Sequence, residues 1–231
     1  MEAKKKLVVS TGAGMSAESG ISTFRDADGL WEKYPVMQVC SADGFRADPE
    51  LVHKFYNDRR KQLIGCTPNP GHRALAEMER EYDVQVITQN VDDLHERAGS
   101  TNVLHLHGEL MKARSVNDES RVYQPTPDNC ETTPDTLING EHVRPHIVFF
   151  QEAVPNFEPA TELVEQADIF VIIGTSLSVY PAAALLRYVR PGTPVYYIDP
   201  KPAQVPSNVT VIPMGASAGI ERLRRLLSRD N

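Results

Sequence analysis

Several of the β-like runs in this chain are apolar at every position rather than at alternate ones, and no other feature restricts its fold as strongly. The runs are Leu7–Ser10, Val84–Thr88, Val103–Leu106, Ile147–Phe150, Ile169–Ile173, Val195–Ile198 and Val209–Ile212. A strand without a polar face must be covered on both sides, as happens when helices pack on either face of a parallel sheet. Helical patterns lie between the runs. Asn69-Pro70 supplies an N-cap and a first-turn proline ahead of His72–Glu81, and Gly99 stops a short helix over Asp92–Arg97. Thr161–Ala167 precedes the Ile169 run, and Ile220–Ser228 follows the last one. Strands alternating with helices predict an α/β fold with a doubly wound parallel sheet.

Two stretches break this rhythm. Residues 26–66 read as helical without a strand, and residues 111–145 are polar and turn-rich. They are expected to fold together as a small lobe over one edge of a main domain made of 1–25, 67–110 and 146–231. With 231 residues, 41% of them hydrophobic, the chain can bury one substantial core. A net charge of −7 argues against a nucleic-acid partner and suits basic, lysine-bearing ones. Cys40, Cys66 and Cys130 are too few and too scattered for a disulfide framework, which points to a reducing cytoplasm. The basic start, Met1 to Lys6, leads into only Leu7-Val8-Val9, too short for a signal peptide, and no run is long enough to span a bilayer. A cytoplasmic protein with no membrane partner is the expectation, and a monomer the default.

Leu7-Val8-Val9 leads into Ser10-Thr11-Gly12-Ala13-Gly14-Met15-Ser16-Ala17, a strand, a glycine turn and a helix start. Gly12, Gly14 and Ala17 fill the G-x-G-x-x-A positions, which serve a tight turn, close approach to a pyrophosphate and close helix–strand packing. The N–H groups at the helix start would then face phosphates. The acidic residue that dehydrogenases carry about twenty positions later is missing. Asp199, after Ile198, could meet an adenosine ribose instead, or form an ordinary solvated turn with Pro200. Gly174-Thr175-Ser176 is a small hydroxyl-bearing loop at another strand end, where open α/β sheets bind ligands.

Two further strand ends are polar: Gln89-Asn90-Val91-Asp92, and His105-Leu106-His107-Gly108. Period two would place His105 and His107 on one strand face. A neutral imidazole can take a proton, and Asn90 with Asp92 can orient an amide, a hydroxyl or water. Each residue also has an ordinary reading: Asp92 is a good helix N-cap, and strand-end histidines are commonly structural.

Together these blocks resemble the sirtuin family. The carriers are Gly12-Ala13-Gly14-Met15-Ser16-Ala17-Glu18-Ser19-Gly20-Ile21-Ser22-Thr23-Phe24-Arg25, then Gln89–Asp92, His105–Glu109, Gly174–Ser176 and Ile198–Pro200, in family order across nearly the whole chain. The resemblance implies a Rossmann-type domain with a small lobe, and substrate threading between them. It implies NAD as cofactor and acyl-lysine proteins or peptides as partners. By that resemblance the nicotinamide–ribose bond is cleaved as the acyl oxygen attacks, releasing nicotinamide, and water then frees lysine and O-acyl-ADP-ribose. His107 is then the base, with Asn90 and Asp92 beside the nicotinamide. Cofactor contacts fall to Gly12, Ala13, Gly14, Ser16, Ala17, Glu18, Thr23, Phe24, Arg25, Gln89, Asn90, Val91, Asp92, Gly174, Thr175, Ser176, Asp199 and Ala216. Val148 and Phe150, alternating on one strand face, would wall the lysine stem. Tyr56 and Arg59, i,i+3 on a helix, resemble the pair with which desuccinylating and demalonylating sirtuins hold an acyl carboxylate.

The chain departs from the family in three places. Only Cys130 lies between Met111 and Pro145, so the usual four-cysteine zinc site cannot form and the lobe is expected to be metal-free. A Cys130/His142/His146 site is the remaining alternative. Gln151 stands where the family usually has glycine, and Ser22 where proline is common. Protein mono-ADP-ribosylation and a non-catalytic NAD-binding module are the rival functions.

Overall fold

In a computed structural model, residues 3–21, 34–125 and 129–228 are described. Thr23, Phe24 and Arg25, expected to cover the cofactor, lie outside them, as does Ser22. Among the described residues, β1 (Lys6–Thr11), β2 (Asp83–Thr88), β3 (Val103–His105), β8 (Ile169–Ile173), β9 (Val195–Ile198) and β10 (Val209–Ile212) form one parallel sheet. Its order is β10-β9-β8-β1-β2-β3. The winding therefore reverses between β1 and β8, the place where such sheets open a ligand crevice.

Helices cover both faces, as the uniformly apolar strands require. On one side Leu75 and Met78 of α5 (Pro70–Met78) and Ile220, Leu223 and Leu227 of α8 (Ala216–Leu227) pack on Leu7, Val9, Val171 and Ile198. On the other, Ala160 and Val164 of α7 (Phe157–Glu165) and Leu185 of a 3-10 turn (Ala182–Tyr188) meet Val8, Phe170, Ile172 and Tyr197. Asn69 caps α5 reciprocally with His72, as the Asn69-Pro70 signal predicts. The other helices are shifted: α7 starts ahead of Thr161 and α8 ahead of Ile220, because amphipathic packing extends past the most apolar residues.

Before α5 come α1 (Ala13–Ser16), α2 (Val36–Val39), α3 (Ala42–Ala47) and α4 (Pro49–Ile64). The last three share a core of Val52, Phe55, Tyr56 and Leu63 with Leu110, Ile147 and Phe149. The polar stretch after β3 is not merely turns. β4 (Gly108–Ser115), β5 (Val122–Tyr123), β6 (Leu137–Ile138) and β7 (Glu141–Ile147) make an antiparallel sheet in the order β5-β4-β7-β6. The expected boundaries at 110/111 and 145/146 therefore fall inside β4 and β7. Likewise Ile147–Phe150 is no strand of the main sheet. β7 ends at Ile147, and beyond it only Phe150 bridges, to Ser41.

Buried neutral histidines make this packing acid-sensitive. Burial lowers both His53 and His72 from 6.5 to about 4, with nearby Arg60 adding to the effect at His53. Between these values the unfolded chain binds protons that the folded one refuses, so stability present above 6.5 is lost as pH falls toward 4. At pH 5 each group should cost about 2 kcal/mol relative to neutrality. Urea unfolding at the two pH values measures this. An unchanged midpoint would show that neither ring is held neutral.

Candidate active site

Strand register delivers the site. Ile198, Ile173, Thr11, Thr88 and His105 lie side by side across neighbouring strands at the carboxyl ends. The next residues, Asp199, Gly174, Gly12 and Gln89, therefore emerge together, with His107 just past β3.

At the reversal the backbones of two loops interlock. Gly12 N–H donates to Ile173 O and Gly14 N–H to Gly174 O, at 2.9 and 2.8 Å. A Cβ on Gly12 would lie 2.8 Å from Gly174 O, and one on Gly14 2.7 Å from Gly174 Cα. Gly174 itself adopts φ +63° with Gly14 C and Met15 N 2.5 Å from where its Cβ would be. The glycines are thus demanded by the protein's own seam. The Gly14 N–H is spent on Gly174 O. The following helix is also shorter than expected: α1 has four residues, and Ala17 already begins a 3-10 turn.

The polar floor is closely wired. Asn90 Nδ2 donates to Gly12 O (3.0 Å) and Ser16 Oγ (3.1 Å), and Ser16 Oγ donates to Asp92 Oδ2 (2.9 Å). Gln89 Nε2 reaches Thr175 Oγ1 at 3.3 Å. Asp92 is not the N-cap of α6 (Leu94–Ala98). Asp93 holds that position, while Asp92 Oδ1 accepts from Leu94 N. Burial raises the Asp92 carboxyl, opposed by the Ser16 and Leu94 hydrogen bonds. Val91 sits beside it, its carbonyl accepting from Leu110 N.

The two histidines have different partners. His105 ends β3 with Nδ1 3.1 Å from Asn90 O and Nε2 2.7 Å from Glu96 Oε1. Burial alone would lower it, but the Glu96 carboxylate, helped by Glu109 and Asn90 O, raises it. His107 lies beyond the strand, so the expected shared strand face is not formed. Its Nδ1–H donates to Gln89 O at 3.0 Å, which leaves Nε2 as the bare lone pair. Burial lowers its pKa, against the Gln89 hydrogen bond, so the ring is neutral at pH 7. His105 is thus a tie between Asn90 O and the Glu96 carboxylate, and His107 an available base.

The remaining predicted residues spread along the crevice. Asp199 is buried at the β9 end, its Oδ1 accepting from Lys201 N at 2.8 Å. Ser176 pairs with Ser178 in the Gly174 loop, and Ala216 opens α8. Glu18 is turned to that same helix start, where it accepts from Ser217 N (3.1 Å) and Ser217 Oγ (2.5 Å). Buried Tyr56 donates to Cys40 Sγ at 3.3 Å, and the Arg59 charge acts on both. Phe149, not its neighbours, enters the core. Val148 is half-buried and Phe150 is 43% exposed, so both are available as a wall though not as a strand face. Gln151 has φ +77°, and its amide pairs twice with Asp43, at 2.7 and 3.2 Å. Among the described residues no three His, Cys, Asp or Glu side chains converge as a metal site.

Sequence reasoning missed Arg60, next to the singled-out Arg59. Fully buried, it donates to Leu110 O (2.8 Å), Asn57 Oδ1 (2.8 Å), Thr132 Oγ1 (3.1 Å) and Lys112 O (3.2 Å). It also missed Glu152, which pairs with Arg114 and Arg144 of the small sheet at 3.2 and 2.6 Å and accepts from Phe149 N. Neither belongs to a motif: Arg60 reaches Leu110, Lys112 and Thr132 far along the chain, and Glu152 joins Arg114 and Arg144 across two strands.

The fold and crevice define a doubly wound protein of the dinucleotide-binding class. The family model described as "Sir2 family" matches residues 12–181, and the chain belongs to that family. It is 56% identical over 229 residues to an NAD-dependent protein deacylase of Bacteroides thetaiotaomicron, covering 96% of this chain and 98% of that one. A Helicobacter pylori NAD-dependent protein deacylase is 52% identical, with 90% and 91% covered. Among solved structures, a Sir2 homologue–NAD complex superposes with a TM-score of 0.85 at 37% identity, over 98% of this chain and 91% of the other.

Proposed function

We propose that this protein is an NAD-dependent protein-lysine deacylase in which His107 is the base. The observation that carries this reading is the His107 tautomer: Nδ1 is tied to Gln89 O, the ring is neutral, and its bare Nε2 stands at the strand ends that hold Asn90 and Asp92. The residues fit the dinucleotide. The crevice lies at the sheet's reversal, Asp199 offers a buried carboxylate to a ribose, and Ala216 stands at the start of α8. When bound, NAD supplies a ribose carbon activated by its bond to nicotinamide. Asn90 and Asp92 orient the carboxamide and nearby water, and His107 Nε2 takes the proton of a ribose hydroxyl. Val148 and Phe150 flank the lysine stem of an acylated protein. We assign the parallel sheet to the cofactor and the helical insert with the antiparallel sheet to substrate. The lobe is held by Arg60 and Glu152 rather than by metal. A cytoplasmic monomer remains the working state, in keeping with three unpaired cysteines.

The acyl preference extends to acidic groups, read by Tyr56 and Arg59. Tyr56 donates only to a sulfur here, a weak acceptor that a carboxylate would readily outcompete. Arg59→Met is expected to lower desuccinylation by about 10- to 150-fold, the worth of a hydrogen bond to a charged group, with deacetylation largely retained. Nicotinamide release with acetyl- and succinyl-lysine peptides measures both. Equal losses reject the acyl assignment, and ADP-ribose gained by the peptide would reject deacylation in favour of ADP-ribosyl transfer.

A further inference from the structure

Behind the strand tips lie two buried imidazoles to which the chemistry above gives no role, His72 of α5 and His95 of α6. Their rings meet edge to face, with centroids 4.8 Å apart. Hydrogen-bond accounting sets both tautomers. Asn69 N–H donates to His72 Nδ1 at 3.3 Å, so the neutral ring carries its proton on Nε2. Thr11 Oγ1 donates to Thr88 Oγ1 at 2.9 Å, so its oxygen accepts from His95 Nε2–H at 3.1 Å and His95 Nδ1 is the bare lone pair. His72 Nε2 and His95 Nδ1 are the two buried ring atoms of this pair without a hydrogen-bond partner. One is a donor and the other an acceptor.

The chain continues at both ends into the active site. Thr88 Oγ1 also accepts from Asn90 N–H at 3.0 Å. Asn69 Nδ2 donates to Met15 O at 2.8 Å and Ser19 Oγ at 3.1 Å, in the glycine segment. Asn90 Nδ2, in turn, reaches Gly12 O in that segment. The circuit thus runs from the glycine segment through Asn69 and His72, across the His72–His95 ring contact, and through Thr11 and Thr88 to Asn90, and back.

We propose that His95, backed by His72, is a positioning residue that sets the height and orientation of Asn90 through Thr11 and Thr88. Both rings suit a neutral relay: burial lowers His72 to about 4 and His95 well below its usual value. Asn90 hydrogen-bonds Gly12 O, Ser16 Oγ, Thr88 Oγ1 and His105 Nδ1, so a small displacement of its backbone is felt where nicotinamide leaves. The proposal rests on the deacylase reading for its kinetic arm, but not for its spectroscopic one.

The experiment compares wild type with His95→Phe, His95→Gln and Thr11→Val. His95→Phe and Thr11→Val should lower kcat for nicotinamide release by about tenfold or more, with NAD affinity within about threefold. Glutamine, whose Nε2 can replace the imidazole N–H, should restore kcat to within about threefold of wild type. Activity per folded molecule unchanged in His95→Phe, or glutamine as poor as phenylalanine, overturns the proposal. Should the variants not fold, nitrogen-15 NMR of wild-type histidines decides. Both His72 and His95 are expected neutral at pH 7 with the proton on Nε2, and an Nδ1–H tautomer at either position overturns the circuit. Wild type that releases no nicotinamide would sink the deacylase reading while leaving the tautomer result intact.

Discussion

His107→Ala is expected to reduce nicotinamide-coupled deacylation by about 10²- to 10⁴-fold, the range for loss of a positioned general base. The variant should stay folded. His107 makes one side-chain hydrogen bond, to Gln89 O, whose loss costs about 1 kcal/mol. The adjacent His105, tied to Glu96 and Asn90, should behave oppositely: its substitution should lower stability, with activity lost only through displacement of Asn90. Steady-state kinetics beside thermal melts separates the two. A His107→Ala protein retaining more than a tenth of wild-type turnover would falsify the assignment of the base.

The largest effect on stability is expected at Arg60. One guanidinium holds β4 at Leu110 and Lys112, α4 at Asn57, and the loop at Thr132. Burial lowers it to about 10, which is still well above neutrality, so it is a cation at neutral pH. Arg60→Met would leave several buried acceptors without donors, at a cost on the order of 3–5 kcal/mol. Arg60→Lys should recover only part of this, because an ammonium cannot reproduce the planar fork. Arg59→Met, one residue away and half-exposed, is the matched control and should cost about 1 kcal/mol or less. If chemical denaturation gives Arg60→Met a loss below 1 kcal/mol, the lobe is not anchored there.

How much could be read from the chain follows burial. The parallel strands are apolar on both faces, so β1, β2, β8 and β9 are visible as runs, and the crevice follows from what comes after them. β4 and β7 were hidden because their charged residues are satisfied at a distance: Arg114 and Arg144 both reach Glu152. Their strand pattern reads as polar loop, and Pro145 in the middle of β7 adds to the disguise. The Ile147–Phe150 run misled in the other direction. It is apolar because Ile147 and Phe149 face the helical insert and Phe150 faces outward, not because the main sheet takes it in. Asn90, Asp92 and His107 were identifiable as a group, but the tautomer of His107 depends on Gln89 O, a backbone atom that no motif records.

The seam of Gly12, Gly14 and Gly174 has a consequence for anyone redesigning this enzyme. The two halves of the sheet are joined there by main chain lying against main chain, so even a methyl group would force them apart. Folding and cofactor affinity should therefore fall together in any variant at these three positions, and no library built on them can tune one without the other. Altered nucleotide selectivity is better sought around Glu18 and Asp199, where a side chain rather than a glycine backbone makes the contact.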